Sequence, residues 1–334
     1  MMRGKPRITN NSNDRDSKMK KVLVTDYHYA SLETEQELVE QAGAIFVARQ
    51  LGSEEELAPI AADYDAFLNT YLHIGPTAMA CMKKGAVIVR YGIGVDNIEL
   101  ETARQLGIRV CNVPDYGLAA VSEYVIGAIT AGLRQLANFD VRVRTGNWEY
   151  KDVLPIREYS DYTIGLLGFG GIGRTLAKYL LAINFRVMVH DPFVEKTVVE
   201  AAGCIPGTLG EVLAASDVIS LHMPLVDATH HIINSETIGR MKDNALLINT
   251  ARGPLVEPMA LTEALNSGKI SAAIVDVYEK EPLPTDSPLY RAKNLTMTPH
   301  VAWYTEQSTR RLQRLAGEEI VRALRSEPLR CPLT

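Results

Sequence analysis

The sequence predicts an α/β protein with two doubly wound parallel sheets, and three observations carry that prediction. Two series of short apolar runs alternate with longer amphipathic segments, one starting at Lys21 and the other at Thr163. The runs of the second series are almost continuously apolar, as expected of strands that are covered on both faces. The chain has 334 residues, a length that favours two domains over one.

The first series predicts five strands with helices between them. The strand segments are KVLVTD (21–26), GAIFVA (43–48), DAFLNT (65–70), AVIVRYG (86–92) and IRVCNV (108–113). Segments such as LETEQELVEQA and NIELETARQLG lie between them and have the spacing of helices.

A long helix over 119–139 is predicted next, with an irregular segment over 142–161. The helix has one apolar face, formed by Val121, Val125, Ile129, Leu133 and Leu136. Six further strands are expected in TIGLLGFG, RVMVHDP, DVISLHMP, ALLINTA, SAAIVDV and NLTMTPH, followed by a helix over 307–326.

Charge and cysteine content restrict the class of protein. The formal net charge is −5, so there is no large positive field to hold nucleic acid or an anionic membrane. The four cysteines form no C-x-x-C pair, which favours reduced thiols and the cytoplasm. Residues 1–18 are polar, lack the apolar core of a signal peptide and are expected to form a disordered tail. No metal site is predicted.

The segment TIGLLGFGGIGRTLAKYL (163–180) contains the pattern G-x-G-x-x-G, at Gly168, Gly170 and Gly173. Three glycines alone fit either a dinucleotide site or a tight turn. Here an apolar strand precedes them, a helix follows, and Asp191 ends the next predicted strand, as in a Rossmann dinucleotide site. A carboxylate there can bind the ribose hydroxyls and would repel a 2′-phosphate. We therefore expect NAD, with NADP disfavoured.

Three polar side chains follow strands of the second series, at the edge where parallel sheets bind ligands. They are Arg252 in NTARGP, Glu281 in DVYEKEP and His300 in TPHVAW. Arginine can bind a carboxylate and polarise a carbonyl, histidine can donate a proton, and glutamate can support the histidine. Singly, each is more often a surface or loop residue. Together in one dinucleotide-type domain they suit the reduction of a 2-oxo acid.

With these motifs the chain resembles the D-isomer-specific 2-hydroxyacid dehydrogenase family. The matching segments are GIGVDNIE (92–99), GLLGFGGIGR (165–174), NTARGPLVE (249–257), DVYEKEP (276–282) and TPHVAWYTEQS (298–308). The resemblance implies an NAD-dependent oxidoreductase whose catalytic residues are Arg252, Glu281 and His300, with His300 as acid/base. It also implies that Asp276 contacts the nicotinamide carboxamide. The implied cofactor-binding residues are Gly168, Phe169, Gly170, Gly171, Ile172, Gly173, Asp191, Pro192, His222, Pro224, Thr229, Thr250, Ala251 and Asp276.

The resemblance further implies an NAD-binding domain inserted into a flavodoxin-like substrate domain. The expected boundaries are 19–116 plus 302–334 for the substrate domain and 117–301 for the NAD domain. A homodimer is expected, with 119–139 and 142–161 serving the contact.

The substrate is left open between two classes. The backbone of Ile93 and Gly94 is expected to bind its carboxylate, and Arg90 matches the subgroup of C-terminal binding proteins and phosphoglycerate-type dehydrogenases. Arg90 favours a substrate with a second anionic group, whereas Trp303, as a pocket wall, favours an apolar or thioether side chain. Trp303 can equally be a core aromatic. An NAD(H)-sensing co-repressor and a phosphite-type dehydrogenase are the alternative functions.

Overall fold

The computed structural model describes residues 19–151, 153 and 155–334. The predicted tail over 1–18 lies outside the described residues. The chain divides into two compact units, unit 1 (residues up to Tyr116, together with Glu306–Thr334) and unit 2 (Gly117–Thr305). The assignment of substrate binding to the first unit and NAD binding to the second, with the boundaries given above, stays a prediction.

Unit 1 contains a five-stranded parallel sheet in the order β2-β1-β3-β4-β5. Its strands are β1 (Lys21–Val24), β2 (Ile45–Ala48), β3 (Ala66–Asn69), β4 (Val87–Arg90) and β5 (Arg109–Cys111). Its helices are α1 (Glu33–Gln41), α2 (Glu54–Ala61), α3 (Pro76–Met79), α4 (Leu100–Leu106) and, at the end of the chain, α12 (Glu306–Leu324). The five strands lie within the segments predicted for them.

Helix α12 packs against α1 and against strands β3 and β4. Its apolar residues recur at helical spacing, and Leu312, Ala316 and Ile320 are buried. A Cβ on Gly317 would come within 2.8 Å of Leu38, so the glycine allows the two helices to approach closely.

Unit 2 contains a seven-stranded parallel sheet in the order β12-β11-β10-β9-β6-β7-β8. Its strands are β6 (Thr163–Leu167), β7 (Arg186–His190), β8 (Ile205–Pro206), β9 (Val218–Leu221), β10 (Ala245–Asn249), β11 (Ile270–Val275) and β12 (Leu295–Met297). Strand β8 was not predicted. It has two residues, one of them a proline at the sheet edge, too few to show a period.

The helices of unit 2 are α5 (Leu118–Leu133), α6 (Leu136–Arg144), α7 (Gly171–Ala182), α8 (Lys196–Ala201), α9 (Leu209–Ala215), α10 (Ser235–Arg240) and α11 (Pro258–Ser267). Two core clusters fill the faces of the sheet. The prediction of one long helix over 119–139 is wrong: the chain turns at Gln135, whose φ is 55°, between α5 and α6. Leu136, expected on the buried face, is 60% exposed, and the segment expected to be irregular from 142 begins inside α6.

Two doubly wound parallel sheets confirm the predicted fold class. The 2-1-3-4-5 order of the first sheet is flavodoxin-like, and the second reproduces the Rossmann order from β8 to β11, extended by β12. Over the described ranges, which omit 1–18, 152 and 154, no helix has the length and apolarity needed to cross a membrane.

Candidate active site

The glycine-rich loop joins β6 to α7 at the carboxyl edge of the unit 2 sheet. Gly168 has a φ of +105°, and a Cβ on it would lie 2.5 Å from the carbonyl oxygen of His222. A Cβ on Gly173 would overlap the carbonyl oxygen of Gly168. Nothing lies within 4 Å of the position of a Cβ on Gly170. The protein itself therefore requires the first and third glycines, whereas the second leaves the open space that an approaching pyrophosphate needs.

The other three loop positions differ in what they can offer a ligand. Phe169 is fully buried in the core, and its backbone N–H donates to Asp191 Oδ2 at 2.7 Å. Gly171 is exposed, and a Cβ on it would lie 2.9 Å from Leu118. Ile172 is half-buried against the core. At these positions a phosphate group could contact only backbone atoms, which lie at or near the start of the twelve-residue helix α7.

Asp191 lies at the end of β7 and is fixed by two backbone donors. Its Oδ2 accepts from Phe169 at 2.7 Å and its Oδ1 from Phe193 at 2.9 Å. Pro192, the next residue, is exposed. The half-buried carboxylate is thus held beside the glycine-rich loop, where it suits ribose hydroxyls.

The segment after β9 carries His222, Pro224 and Thr229. Burial lowers the pKa of His222 to about 4, so its ring is neutral, and its Nε2 lies 2.8 Å from Ser220 Oγ. The Thr229 hydroxyl donates to the carbonyl of Pro224 at 2.8 Å and accepts from the amide of Val226 at 2.9 Å. These bonds close the turn that follows the histidine.

The turn after β10 holds Thr250, Ala251 and Arg252. Asn249, which sequence reasoning missed, fixes it: its Nδ2 donates to the Arg252 carbonyl at 2.8 Å and its Oδ1 accepts from Ala251 at 3.1 Å. An asparagine directly after an apolar run was the available signal. The buried Thr250 hydroxyl has no hydrogen-bond partner in the described chain, so a ligand group at this edge would satisfy it.

Gly253 brings the arginine turn onto the loop that carries Glu281. A Cβ on Gly253 would overlap the backbone of Tyr278 and come within 2.5 Å of the Glu279 amide nitrogen. Only glycine permits this approach. The same loop also contacts the segment that follows β9, because His231 Nε2 lies 2.6 Å from Glu279 Oε1.

Glu281 and His300 form a hydrogen-bonded pair. His300 Nδ1 lies 2.7 Å from Glu281 Oε2, and both side chains are about one-third exposed, at 35% and 36%. Burial acts to raise the pKa of Glu281, but the hydrogen bond from His300, the Tyr278 amide and the nearby Arg252 charge together hold that pKa below its usual value. Glu281 is therefore an ionised acceptor at neutral pH, and its partner nitrogen is Nδ1 of the histidine.

Asp276 follows β11 and contacts the turn that carries His300. Its side chain is fully buried, and its carboxylate accepts from Thr298 Oγ1 and from the amides of Val301 and Ala302. Its predicted contact with the nicotinamide carboxamide stays a prediction.

Trp303, at the end of unit 2, is half-buried and packs against the core cluster that contains Val125 and Ile129. This environment favours the core-aromatic interpretation. Its role as a pocket wall stays a prediction.

The predicted substrate-binding residues of unit 1 lie on the segment that follows β4. Arg90 Nη1 donates to the Tyr91 carbonyl at 2.7 Å, and Gly92, with a φ of +138°, leaves room for the guanidinium. Asn112 Nδ2 donates to the Ile93 carbonyl at 2.6 Å, which fixes the backbone next to Gly94. Arg90, Ile93 and Gly94 are thus neighbours on one turn.

Unit 2 combines a Rossmann sheet, a glycine-rich loop with open space at its second glycine, and an Arg-Glu-His set at the same edge, which together define a dinucleotide-dependent oxidoreductase type of site. The family model for the D-isomer specific 2-hydroxyacid dehydrogenase NAD binding domain matches residues 126–302. The chain belongs to this family, and the matched residues lie within unit 2.

Three relatives illustrate the match. The chain is 36% identical over 311 residues to a D-3-phosphoglycerate dehydrogenase of Methanocaldococcus jannaschii, covering 92% of this chain and 58% of the relative. It is 39% identical over 244 residues to a hydroxypyruvate reductase of Thermotoga maritima, covering 72% and 77%. A D-lactate dehydrogenase of Aquifex aeolicus, solved with NAD and lactic acid, has a TM-score of 0.81 at 29% identity and covers 92% of this chain and 96% of that one. The chain spans just over half the length of the phosphoglycerate dehydrogenases that it matches, 58% and 53%.

The third and the second glycine of the loop give a matched pair of predictions. Gly173→Ala should lower the free energy of unfolding by about 3 kcal/mol, the upper end of the usual cost of overpacking, because its Cβ meets backbone. Gly170→Ala should leave the unfolding transition near that of the wild type and weaken NADH binding. Urea unfolding and NADH fluorescence titration measure the two effects. Equal NADH affinity in wild type and Gly170→Ala would contradict a pyrophosphate at this loop.

Proposed function

We propose that the protein is an NAD-dependent D-2-hydroxyacid dehydrogenase that interconverts a small 2-oxo acid and the corresponding 2-hydroxy acid. The observation that carries this proposal is the 2.7 Å pair of His300 and Glu281, with the Arg252 charge acting on the same carboxylate. Family membership supports it independently. The names of the relatives point to small substrates such as hydroxypyruvate and 3-phosphoglycerate.

NAD would be held at the carboxyl edge of the unit 2 sheet, and the residues there fit it. The open space at Gly170, the amides at the start of α7 and the fixed Asp191 carboxylate suit the pyrophosphate and the ribose. The neutral His222, the Thr229 turn and the unsatisfied Thr250 hydroxyl lie on adjacent strand ends. When bound as NADH, the cofactor supplies a hydride for the carbonyl carbon of the substrate.

The side chains supply the proton and the charge stabilisation. With Nδ1 of His300 bonded to Glu281, Nε2 is the nitrogen that gives a proton to the carbonyl oxygen, and it takes the proton back in the oxidation direction. The ionised Glu281 stabilises the positive imidazolium that precedes this transfer. Arg252 binds the substrate carboxylate and offsets negative charge that develops on the carbonyl oxygen.

Substrate recognition is proposed to involve Arg90, Ile93 and Gly94 of unit 1. A turn of backbone amides beside a guanidinium suits a carboxylate and a second anionic group. Because Trp303 packs into the unit 2 core, the argument for an apolar substrate side chain is weaker than the argument from Arg90.

The test is a panel of 2-oxo acids with NADH, followed at 340 nm, beside a fluorescence titration of NADH binding. The panel includes glyoxylate, pyruvate, hydroxypyruvate, 3-phosphohydroxypyruvate and 4-methyl-2-oxopentanoate. Turnover of at least one acid supports the proposal. Tight NADH binding without turnover of any acid would point instead to an NAD(H)-sensing protein.

Cofactor preference gives a separate prediction at Asp191. Asp191→Ala should narrow the NADH-over-NADPH preference, because it removes the carboxylate that binds the ribose hydroxyls and repels a 2′-phosphate. The two kcat/KM values, measured with the preferred acid, give the ratio. Glu200→Ala, which removes an exposed carboxylate on α8, is the matched control. If Asp191→Ala leaves the ratio of kcat/KM for NADH to kcat/KM for NADPH unaltered, Asp191 does not bind the ribose hydroxyls.

We propose a homodimer formed through α6 and the segment that follows it. Among the described residues of α6 none is buried, and Leu136, Val141 and Val143 are each more than half exposed. Trp148, just beyond, is 84% exposed. Large exposed apolar surfaces mark interaction sites, and most oligomers pair identical surfaces of two copies. A second copy of this chain would therefore cover the apolar residues of α6.

Sedimentation velocity tests this arrangement. The wild type should sediment as a dimer, and Leu136→Glu with Val143→Glu should shift it to monomer at micromolar concentration. The exposed, charged pair Arg144→Glu with Asp140→Lys, on the same helix, serves as the control because its charge is exchanged without loss of apolar surface. A monomeric wild type would contradict the proposal.

A further inference from the structure

We infer that Asp276 is a positioning residue for His300: its buried carboxylate holds the turn that presents the imidazole to Glu281. This role deepens the proposed function and rests on it. It differs from the cofactor contact implied by the family resemblance, because it acts through the histidine and is present without any ligand.

The backbone around His300 shows why an anchor is needed. His300 has a φ of 55°, in the left-handed region that a residue with a side chain rarely adopts. Its backbone N–H donates to the Asp276 carbonyl at 2.8 Å. The main chain of Asp276 therefore holds the histidine at the point where the backbone turns.

The side chain of Asp276 holds the residues on both sides. Oδ1 accepts from the Thr298 hydroxyl at 2.5 Å and from the Val301 amide at 2.9 Å, and Oδ2 accepts from the Ala302 amide at 2.8 Å. The carboxylate is 0% exposed. A buried carboxylate needs donors of this kind, and each donor here belongs to the 298–302 turn.

Two tyrosines hold Thr298, the first residue of the turn. Tyr278 donates its hydroxyl to the Thr298 carbonyl at 2.8 Å, and the Tyr124 hydroxyl lies 2.7 Å from Thr298 Oγ1. Thr298 Oγ1 thus links Asp276 with Tyr124. This arrangement supplies both a graded set of variants and a control.

An amide cannot replace the carboxylate at position 276. Whichever way an asparagine is turned, its NH₂ group faces a backbone N–H, of either Ala302 or Val301, and that hydrogen bond is lost. Asp276→Asn should therefore loosen the turn and disturb the bond between His300 Nδ1 and Glu281. Thr298→Val removes one donor and should have a smaller effect of the same kind. Tyr124→Phe leaves the Thr298–Asp276 bond in place and serves as the control.

The experiment is ¹⁵N spectroscopy of the imidazole rings in histidine-labelled protein without cofactor, at a pH where the rings are neutral. The chain has seven histidines, and the His300→Ala variant identifies the signal of interest. The wild type should show His300 protonated at Nδ1. Asp276→Asn should shift or broaden this signal toward a mixture of tautomers, Thr298→Val should do so partly, and Tyr124→Phe should leave it in place.

Kinetics give the second readout. Asp276→Asn should lower kcat by about 100-fold, the cost expected of a catalytic group displaced by about 1 Å, and should change KM for NADH much less. An unaltered His300 signal in both Asp276→Asn and Thr298→Val would overturn the inference. The spectra need no substrate, so a failure of the proposed enzymatic function is recognised separately, by the absence of turnover in the wild type.

Discussion

His300→Ala should lower kcat by about 10²–10⁴-fold and leave the Kd for NADH close to that of the wild type. This is the range that proton transfer by a positioned side chain contributes. The His300 ring is one-third exposed and bonded through Nδ1 to Glu281, an arrangement that frees Nε2 for the substrate. Removing the ring takes away the proton donor, whereas the glycine-rich loop and Asp191 are untouched.

Steady-state kinetics with the acid that the panel identifies, together with an NADH titration, measure both quantities. Glu281→Gln is the companion variant, because it keeps the size of the side chain and removes its charge. The lowered pKa of Glu281 means that the wild-type carboxylate supports His300 throughout the neutral range and loses this effect only as the pH falls through that lowered pKa. Glu281→Gln should therefore lower turnover even at neutral pH. Wild-type turnover in His300→Ala would exclude this residue as the acid/base.

Arg252→Ala should raise KM for the 2-oxo acid and lower kcat, with kcat/KM reduced by at least about 10²–10³-fold. The arginine is proposed to bind the ground-state carboxylate and to stabilise charge in the transition state, so both parameters respond. Its turn is fixed by Asn249 and by the close approach of Gly253 to the Tyr278 backbone, so its position is defined without ligand.

Arg252→Lys separates charge from geometry. Lysine keeps the positive charge but loses the planar fork that binds a carboxylate through two hydrogen bonds, so it should restore only part of the activity. Because the Arg252 charge helps to lower the pKa of Glu281, Arg252→Ala should also move the acidic limb of the pH–rate profile to higher pH. If Arg252→Ala retains the wild-type kcat/KM, the assigned role is wrong.

The fold could be predicted from local patterns because apolar runs of four to six residues mark the strands of covered sheets. The prediction failed where tertiary contacts, and not local sequence, determine where a helix ends. The break between α5 and α6 falls at Gln135, with neither glycine nor proline at the turn itself, so no local signal marks it. Close by, the contact of Gly132 with Leu246 depends on packing against β10 and is likewise invisible in the sequence.

The positions of the candidate residues were predictable from polar residues that follow apolar strands. Arg252, Glu281 and His300 follow β10, β11 and β12 at the expected edge of the sheet, and their catalytic roles stay predictions. The supporting contacts were not predictable. The hydrogen bonds that Asp276 accepts from Thr298, Val301 and Ala302 join residues more than 20 positions apart. Their geometry depends on the neighbouring strands β11 and β12.

The most direct test of the proposed reaction follows the hydride itself. The protein is incubated with NADH deuterated at both C4 positions and the panel of 2-oxo acids, and the products are analysed by mass spectrometry and chiral chromatography. We expect at least one 2-hydroxy acid of D configuration carrying one deuterium at C2, formed about 10²–10⁴-fold more slowly by His300→Ala. Absence of deuterated product from the wild type, or a product of L configuration, would contradict the proposed function.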